Sequence, residues 1–535
     1  MADKTKNCFT VLLFACVFIF TSCGGINGSV PDGSEASDTV VAPFVIADDK
    51  PSGSTEYSDD KNADKVRTAP TFTVDKSVSE SDGTHLSIDV IFGNKTILQR
   101  GAVNRLSGET DGTYVAAELD GTLYYGETSG EEWTVYLPAR PADEKNYTLT
   151  IYTESEKFTL SEVCFGDVFL CSGQSNMETL LGQYEAHAAD AENADDEFLR
   201  LFTVEKPVSS DKASPLSDTL SGGAWNTADP DSARAFSAVG YLFGRKMRQK
   251  LGIPVGLINA SVGGSQISYW LPGEEAAALE AAGEELFDGE EQKLYPSVGY
   301  NGMIYPLRNV NIRGVLWYQG ETDAISVHGG YEKALVALIS SYRKIFDDEN
   351  LFWTVMELPR YGNCPVGYAD IRSAQQRVTA ADGRAALSIG IDTGDWSDIH
   401  PGNKTVIAER AADETLFSFY GIDSPRCPEL VGGESLADGS LKLYFKNAGD
   451  GLEIRNGGAG FELSTENSSV IKSDYTVEAC EDGKSVLVKY FDKKIMAVEY
   501  GKNPLIEVAA RYDVSKQLCI YNSYSLPADQ FEFCV

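Results

Sequence analysis

The stretch Val168-Phe169-Leu170-Cys171, running directly into Ser172-Gly173-Gln174-Ser175-Asn176-Met177, decides how the chain is read. Four apolar residues in succession, followed by a glycine-containing turn, describe a strand buried on both faces that hands over to a helix. Similar compact runs recur at residues 255–259, 314–318, 352–358 and 386–391, with longer helical patterns between them. Over 236–251, Phe236, Val239, Phe243, Met247 and Leu251 form one stripe that stops at Gly252 and Pro254. Tyr331, Leu335, Leu338, Ile339, Tyr342 and Phe346 form a second. Strand and helix in alternation predict an α/β fold, a parallel sheet with helices on both faces, over residues 162–424.

The texture changes on either side. From 71 to 161, alternating runs such as Leu86-Ser87-Ile88-Asp89-Val90-Ile91 and Trp133-Thr134-Val135-Tyr136-Leu137 lie between glycine-containing turns, which predicts an N-terminal β domain. From 425 to 535, Leu441-Lys442-Leu443-Tyr444-Phe445 and Ser485-Val486-Leu487-Val488 predict a C-terminal β domain. Trp133 and Tyr444 fall within alternating patterns, so both flanks read as cover for the central sheet. Residues 24–70 are rich in Ser, Gly, Asp, Thr and Pro and lack the apolar content for a core; they read as a disordered acidic tether.

The first 23 residues carry Lys4 and Lys6, an apolar run over 9–20, and then Thr21-Ser22-Cys23-Gly24. The run is too short to span a bilayer as a helix, and small residues before a cysteine resemble a bacterial lipoprotein cleavage site. On that reading Cys23 becomes the lipidated N-terminus of an exported protein, anchored in the cell envelope on its periplasmic or outer side. An uncleaved anchor helix or a signal cut elsewhere are the alternatives.

A chain of 535 residues exceeds one ordinary core, and 42% hydrophobic residues exclude wholesale disorder. Against 45 Lys and Arg stand 80 Asp and Glu, a formal charge of -35 that argues against nucleic acid as a partner. Beyond Cys8, Cys16 and Cys23 remain Cys164, Cys171, Cys364, Cys427, Cys480, Cys519 and Cys534, with no CxxC or HxxxH spacing to hold a metal. They read as buried thiols with a disulfide or two, Cys519 and Cys534 being the first pair to test. Nothing in the sequence sets an oligomeric state.

In a doubly wound sheet a ligand binds beyond the carboxyl ends of the strands, so the loops there carry the chemistry. Ser175 sits where a buried strand meets a turn and a helix start, exposed as a nucleophile or acting only as a helix cap. Ala260-Ser261-Val262-Gly263-Gly264-Ser265 lets a backbone N–H face a ligand, or is an ordinary turn. Gln319 and Glu321 follow the apolar strand at 314–318, as an amide donor and an orienting carboxylate or as solvated loop residues. His400 lies in Asp392-Thr393-Gly394-Asp395-Trp396-Ser397-Asp398-Ile399-His400-Pro401 and is one of only four histidines. His85, His187 and His328 read as surface residues, which leaves His400 as the general base. Asp398 or Asp395 is the candidate for orienting its ring.

Taken together, Phe165-Gly166-Asp167-Val168, Ser172-Gly173-Gln174-Ser175-Asn176-Met177, Phe236-Ser237-Ala238-Val239, Gly252-Ile253-Pro254-Val255-Gly256-Leu257-Ile258-Asn259, Trp317-Tyr318-Gln319-Gly320-Glu321 and Asp398-Ile399-His400-Pro401 resemble the sialate O-acetylesterase family of SGNH hydrolases. The resemblance implies an SGNH-hydrolase-like (flavodoxin-like) sheet and hydrolysis of O-acetyl esters on sialic acid or plant-type glycans, with no metal or organic cofactor. It implies Ser175 as nucleophile, His400 as base, and the N–H groups of Ser175 and Gly264 with the Gln319 amide as oxyanion donors. Gln174 and Glu321 join them as substrate-site candidates. The chain departs from the SGNH pattern in having Ser397, not Asp, three residues before the histidine. In an extended loop Asp398 would share the histidine's side and orient it; a backbone carbonyl is the alternative. A plant-glycan acetylesterase such as an acetylxylan esterase, and an inert glycan-binding lipoprotein, are the competing expectations.

Overall fold

The computed structural model describes residues 62–207, 216–287, 294–326, 329–362, 364–466, 468–471, 474–491, 493–502 and 518–535. All belong to one compact unit, Ile46–Val535. The expected signal segment, Cys23 and most of the expected tether lie outside the described residues.

The decisive stretch is the second half of a strand 18 residues long, β1, Glu156–Gly173. Its first seven residues mix exposed and buried positions, and every residue from Val163 to Gly173 is buried. The change matches its partners. The first half pairs antiparallel with Asp143–Tyr152 in the N-terminal region, Leu149 opposite Leu160. The second half runs parallel between two other strands, a position covered on both faces, which is why the alternation stops.

The other strands of this sheet are β2 (Asp196–Thr203), β3 (Trp225–Ala228), β4 (Val255–Ser261), β5 (Gly314–Tyr318), β6 (Phe352–Met356) and β7 (Ala385–Ser388). They lie in the order β3-β2-β4-β1-β5-β6-β7. All neighbours are parallel except β3, which is antiparallel to β2. With the β2–β3 edge set aside, the five remaining strands stand in the order 2-1-3-4-5, whose reversal falls between β1 and β5. β2 and β3 were not anticipated from the sequence.

The helices that matter here are α1 (Ser175–Glu178), α2 (Ala238–Leu251), α3 (Glu321–Ile325), α4 (Tyr331–Ile345), α5 (Pro365–Ala381) and α6 (Thr405–Ser418). α2 begins two residues after the expected start because the Ser237 hydroxyl accepts the Gly240 N–H as its cap. It ends where foreseen, at Gly252 with φ +65°. The α4 stripe is buried as its spacing requires.

The boundary expected at 161/162 falls inside β1, and one apolar core contains both Leu106 of the N-terminal region and Leu316 of β5. Leu86-Ile91 is not a strand: Leu86 makes one bridge to Thr110, and Val90–Phe92 is a helical turn. Leu86 and Ile91 are buried all the same, Ile88 and Val90 half-buried against the core, and the Trp133 indole N–H donates to the Ser87 carbonyl at 2.9 Å. The tether ends sooner than expected. The Arg67 carbonyl accepts the Tyr125 N–H at 2.8 Å and Val66 packs on the core, so residues 66 and 67 are docked on the N-terminal region.

The C-terminal region holds two four-stranded antiparallel sheets around a second core of Leu441, Leu443, Phe445, Val486, Val488, Ile495 and Val498. It is fastened to α5 by Arg372, whose Nε donates to Gln530 at 2.9 Å, and by Gln376, bonded to Asp529. All seven described cysteines are free thiols. Cys519 is buried next to Ile520 in the core whereas Cys534 is exposed at the end of the last strand, so the expected pair is not formed. No described helix is long and apolar enough to cross a membrane.

Candidate active site

The loops that follow β1, β4, β5 and β7 converge on Ser175. The turn after β1 demands glycine at 173: φ is +144°, and a Cβ there would stand 2.0 Å from the Tyr318 carbonyl oxygen of β5. β1 and β5 can therefore close up to the turn. The Gln174 N–H then donates to that same carbonyl at 3.1 Å. Ser175 opens the single helical turn α1, half-exposed, and its carbonyl accepts from the Thr179 N–H and hydroxyl at 2.8 and 2.5 Å.

His400 comes from the loop after β7. Its Nε2 lies 2.8 Å from Ser175 Oγ. The base of the loop is clamped by Arg410 of α6 to Asp392, at 2.5 and 3.1 Å. The tip is not extended, as the placement of Asp398 had assumed. Asp395 Oδ1 accepts from the N–H groups of Ser397 and Asp398 at 2.8 and 3.0 Å, and Asp398 Oδ1 accepts from the backbone N–H of His400 at 2.8 Å. Two successive Asx turns thus curl the chain, with one oxygen of each carboxylate engaged by backbone N–H groups. Among the described residues no side chain bonds Nδ1 of His400. Asp398 acts on the ring through its charge alone. Burial and the Lys404 charge hold the imidazole below the ordinary histidine range, and Asp398 opposes them.

The loop after β4 passes beside the serine. A Cβ on Gly263 would lie 3.5 Å from the Ser175 Cβ, and Gly264 has φ +76°, a conformation that favours glycine. The Gly263 N–H donates to the Glu178 carboxylate, which also pairs with Lys206. The N–H groups of Ser175 and Gly264 make no hydrogen bond among the described residues, which leaves them free for a ligand oxygen.

Gln174 and Gln319 do not face out. Both are buried, and Gln174 Oε1 accepts from Gln319 Nε2 at 3.1 Å and from the N–H groups of Gly320 and Thr322 at 3.3 Å. Gln319 Nε2 also donates to the Ser265 carbonyl and the Asp323 carboxylate at 3.0 and 2.5 Å. The pair ties the turn after β1 to the loops after β4 and β5, a frame for the site instead of a donor aimed at a ligand. Glu321 is fully buried with one oxygen unpartnered, and burial lifts its carboxyl to about 7 against the pull of Asn176 and Lys404.

Three residues were not anticipated. Asn176 bridges Glu321 Oε1 at 2.6 Å and the Ile399 carbonyl at 3.0 Å. Lys404, only 1% exposed, donates from Nζ to Asn176 Oδ1. His187, expected at the surface, is 1% exposed and accepts the Lys404 N–H at 3.1 Å on Nε2, with Asp190 on Nδ1 at 2.9 Å. The reversal comes from packing of the 184–192 segment against the His400 loop, which its polar sequence conceals. His85 is exposed beside Asp111, as foreseen, and His328 lies outside the described residues. No cluster of three His, Cys, Asp or Glu side chains suited to a metal occurs among the described residues. A cleft of about 560 Å³ between α5, α6 and the C-terminal region is lined by Gln376, Glu414, Arg426 and Phe531 and takes no residue from this site.

Residues 165–402 match the family described as carbohydrate esterase, sialic acid-specific acetylesterase. The sialate O-acetylesterase of Homo sapiens is 32% identical over 234 residues, 40% of this chain and 43% of that protein. That of Mus musculus is 28% identical over 399 residues, 62% of this chain and 73% of that protein. The match therefore spans less than half the length of the human relative. A crystal structure of a carbohydrate acetylesterase from Xanthomonas citri superimposes with a TM-score of 0.73 at 27% identity, over 83% of this chain and 99% of that one. The serine turn, the glycine loop and the histidine loop all fall within residues 165–402, the segment that matches the carbohydrate esterase, sialic acid-specific acetylesterase family.

Proposed function

We propose that this protein is a carbohydrate O-acetylesterase of the SGNH type, with Ser175 as nucleophile and His400 as general base. The observation that carries the reading is the 2.8 Å contact between His400 Nε2 and Ser175 Oγ at the reversal point of the sheet. Ser175 Oγ attacks the acetyl carbonyl as its proton passes to Nε2. The tetrahedral oxyanion takes hydrogen bonds from the Ser175 and Gly264 N–H groups. His400 returns the proton to the departing sugar oxygen, leaving an acetyl ester on Ser175. Water then attacks that ester with His400 again as base, releasing acetate and restoring the hydroxyl.

The two candidate substrates differ in charge. The family match favours O-acetylated sialic acid, an anionic sugar that needs a cation. Of the arginines nearest the motifs, Arg308 is paired with Asp218 at 2.8 Å, Arg372 is committed to Gln530, and Arg360 is 4% exposed. That observation supports a second reading, an acetylated neutral glycan such as xylan. Acetate release from 9-O-acetylated sialic acid and from acetylated xylan, measured side by side, separates the two. Failure on both and on p-nitrophenyl acetate would remove the esterase reading altogether. The sequence of the first 23 residues adds an exported protein lipidated at Cys23, which Cys23→Ala tests by whether the protein leaves the membrane fraction.

The pH dependence has a definite sign. His400 must be neutral to accept the serine proton, so activity is full above its pKa and is lost as pH falls through it. Because burial and Lys404 depress that pKa, the acid limb of kcat/KM is expected below the ordinary histidine value of about 6.5. A limb at or above that value would contradict the geometry.

A further inference from the structure

Behind the Ser175–His400 pair lies a closed polar chain that the proposed chemistry does not use. Lys404 Nζ donates to Asn176 Oδ1, and Asn176 Nδ2 donates to Glu321 Oε1 and to the Ile399 carbonyl, at 2.6 and 3.0 Å. Asn176 follows the serine and Ile399 precedes the histidine. One amide therefore grips the immediate neighbours of both groups. Lys404 is itself gripped: its backbone N–H donates to His187 Nε2 at 3.1 Å, and its ammonium lies 5.5 Å from the centre of the Tyr184 ring. Since Nε2 of His187 accepts, that ring carries its proton on Nδ1 and gives it to Asp190, a neutral tautomer that adds no charge to the cluster.

We propose that Lys404 is a positioning residue for the reaction, holding the serine and histidine loops together through Asn176 and keeping His400 in its basic form by placing a buried positive charge beside it. This rests on His400 being the base. The charged and titratable groups that face it are few. Asp398, on its own loop, is exposed and attracts a proton to the ring, weakened by solvent. Glu321, at the start of α3, faces Lys404 from the other side of Asn176. Tyr184 and the His187–Asp190 pair come from the segment between α1 and β2. Burial brings the Lys404 ammonium down to about 8, so it is mostly charged at neutral pH and fully so below. The Glu321 carboxyl, lifted by burial to about 7, takes up a proton as pH falls. Its counter-charge then disappears where His400 is most in need of protection, and the Lys404 charge acts on the imidazole unopposed from that side. A lysine kept only for its hydrogen bond would not produce this coupling.

The test reads His400 directly and does not depend on catalysis. Diethyl pyrocarbonate modifies imidazole only in its neutral form, so its rate at His400, followed on the His400 peptide by mass spectrometry across pH, gives the midpoint of that ring in the full chain. In Lys404→Met the midpoint is expected to rise by about half a pH unit or more, with the acid limb of acetate release moving by the same amount. Lys404→Arg, which keeps the charge, and Glu321→Gln, which imitates the protonated carboxyl, are both expected to keep the midpoint low. An unchanged midpoint in a folded Lys404→Met protein overturns the proposal. If Lys404→Met does not fold, a midpoint raised in Glu321→Gln overturns it equally, because removing the counter-charge should never make His400 more basic. Loss of the esterase reading would show separately, as wild-type protein that releases no acetate while the midpoints still shift.

Discussion

Ser175→Ala is expected to reduce acetate release by about 10⁴- to 10⁶-fold with little change in KM or in the melting temperature. Nothing else in the site can replace it. Ser172 and Ser261 are buried, and Ser265 is fully buried with its hydroxyl donating to the Val262 carbonyl at 2.7 Å. His400→Ala should cost as much, and the double variant no more than either single one, because on the proposed mechanism nucleophile and base act as a unit. The residual rate of either variant would measure what the Ser175 and Gly264 N–H groups contribute to a water attack. Asp398→Asn is the informative contrast. An amide oxygen can still accept the His400 N–H and preserve the turn, and the carboxylate does not touch the ring, so a loss of about tenfold or less is expected. A loss near 10⁴-fold would mean that Asp398 bonds Nδ1 during turnover, through the carboxylate oxygen that the backbone turn does not use. Steady-state kinetics on p-nitrophenyl acetate, with circular dichroism to confirm folding, settles both points.

How far the sequence discloses this site depends on how local each interaction is. Ser175 and His400 were legible because a glycine turn after an all-apolar strand and a lone histidine in a polar loop are signals within ten residues of chain. The 2-1-3-4-5 core was legible for the same reason, each strand being a short unbroken apolar run. β2 was not, because Arg200 interrupts its apolar pattern. That side chain is fully buried only because the carbonyls of Glu197 and Lys95 and the Asn146 side chain accept its N–H groups, at 2.9, 2.7 and 2.6 Å. Arg200, Lys404 and His187 share the property that hides them. Each is a polar residue whose burial is made tolerable in part by hydrogen-bond partners far away in the chain, and no periodicity can announce such partners. The register of Asp398 failed differently. Alternation of side chains holds for extended backbone, and the aspartates of this loop bond their own backbone and curl it.

Asp167→Ala is expected to be the most destabilising single change, costing about 3–5 kcal/mol and lowering the melting temperature by roughly 5 °C. Asp167 lies in β1, fully buried, within the Phe165-Gly166-Asp167-Val168 run that leads into the serine turn. Its two oxygens accept five hydrogen bonds: from Gln99 at 2.8 Å, twice from Arg100 at 2.9 Å, from Arg313 at 3.0 Å and from the Tyr420 hydroxyl at 2.8 Å. These partners come from the N-terminal region, from the segment before β5 and from the chain beyond α6. One carboxylate thus joins three parts of the fold around the middle of the sheet. Burial alone would raise its pKa, and the Arg313 and Arg100 charges with the Gln99 amide overcome that and hold it low. The sign of the linkage follows. The contribution is present above the unfolded value of about 3.9 and is lost only as pH falls through the still lower folded one. The stability gap between wild type and Asp167→Asn should therefore stay constant from pH 8 to about 5 and close only under strongly acidic conditions, as urea unfolding at several pH values would show. A gap that closed near neutrality would assign it to another group. Because Asp167 makes no contact with Ser175 or His400, the folded fraction of either variant should hydrolyse acetyl esters at close to the wild-type rate, separating a role in holding the sheet together from one in the chemistry.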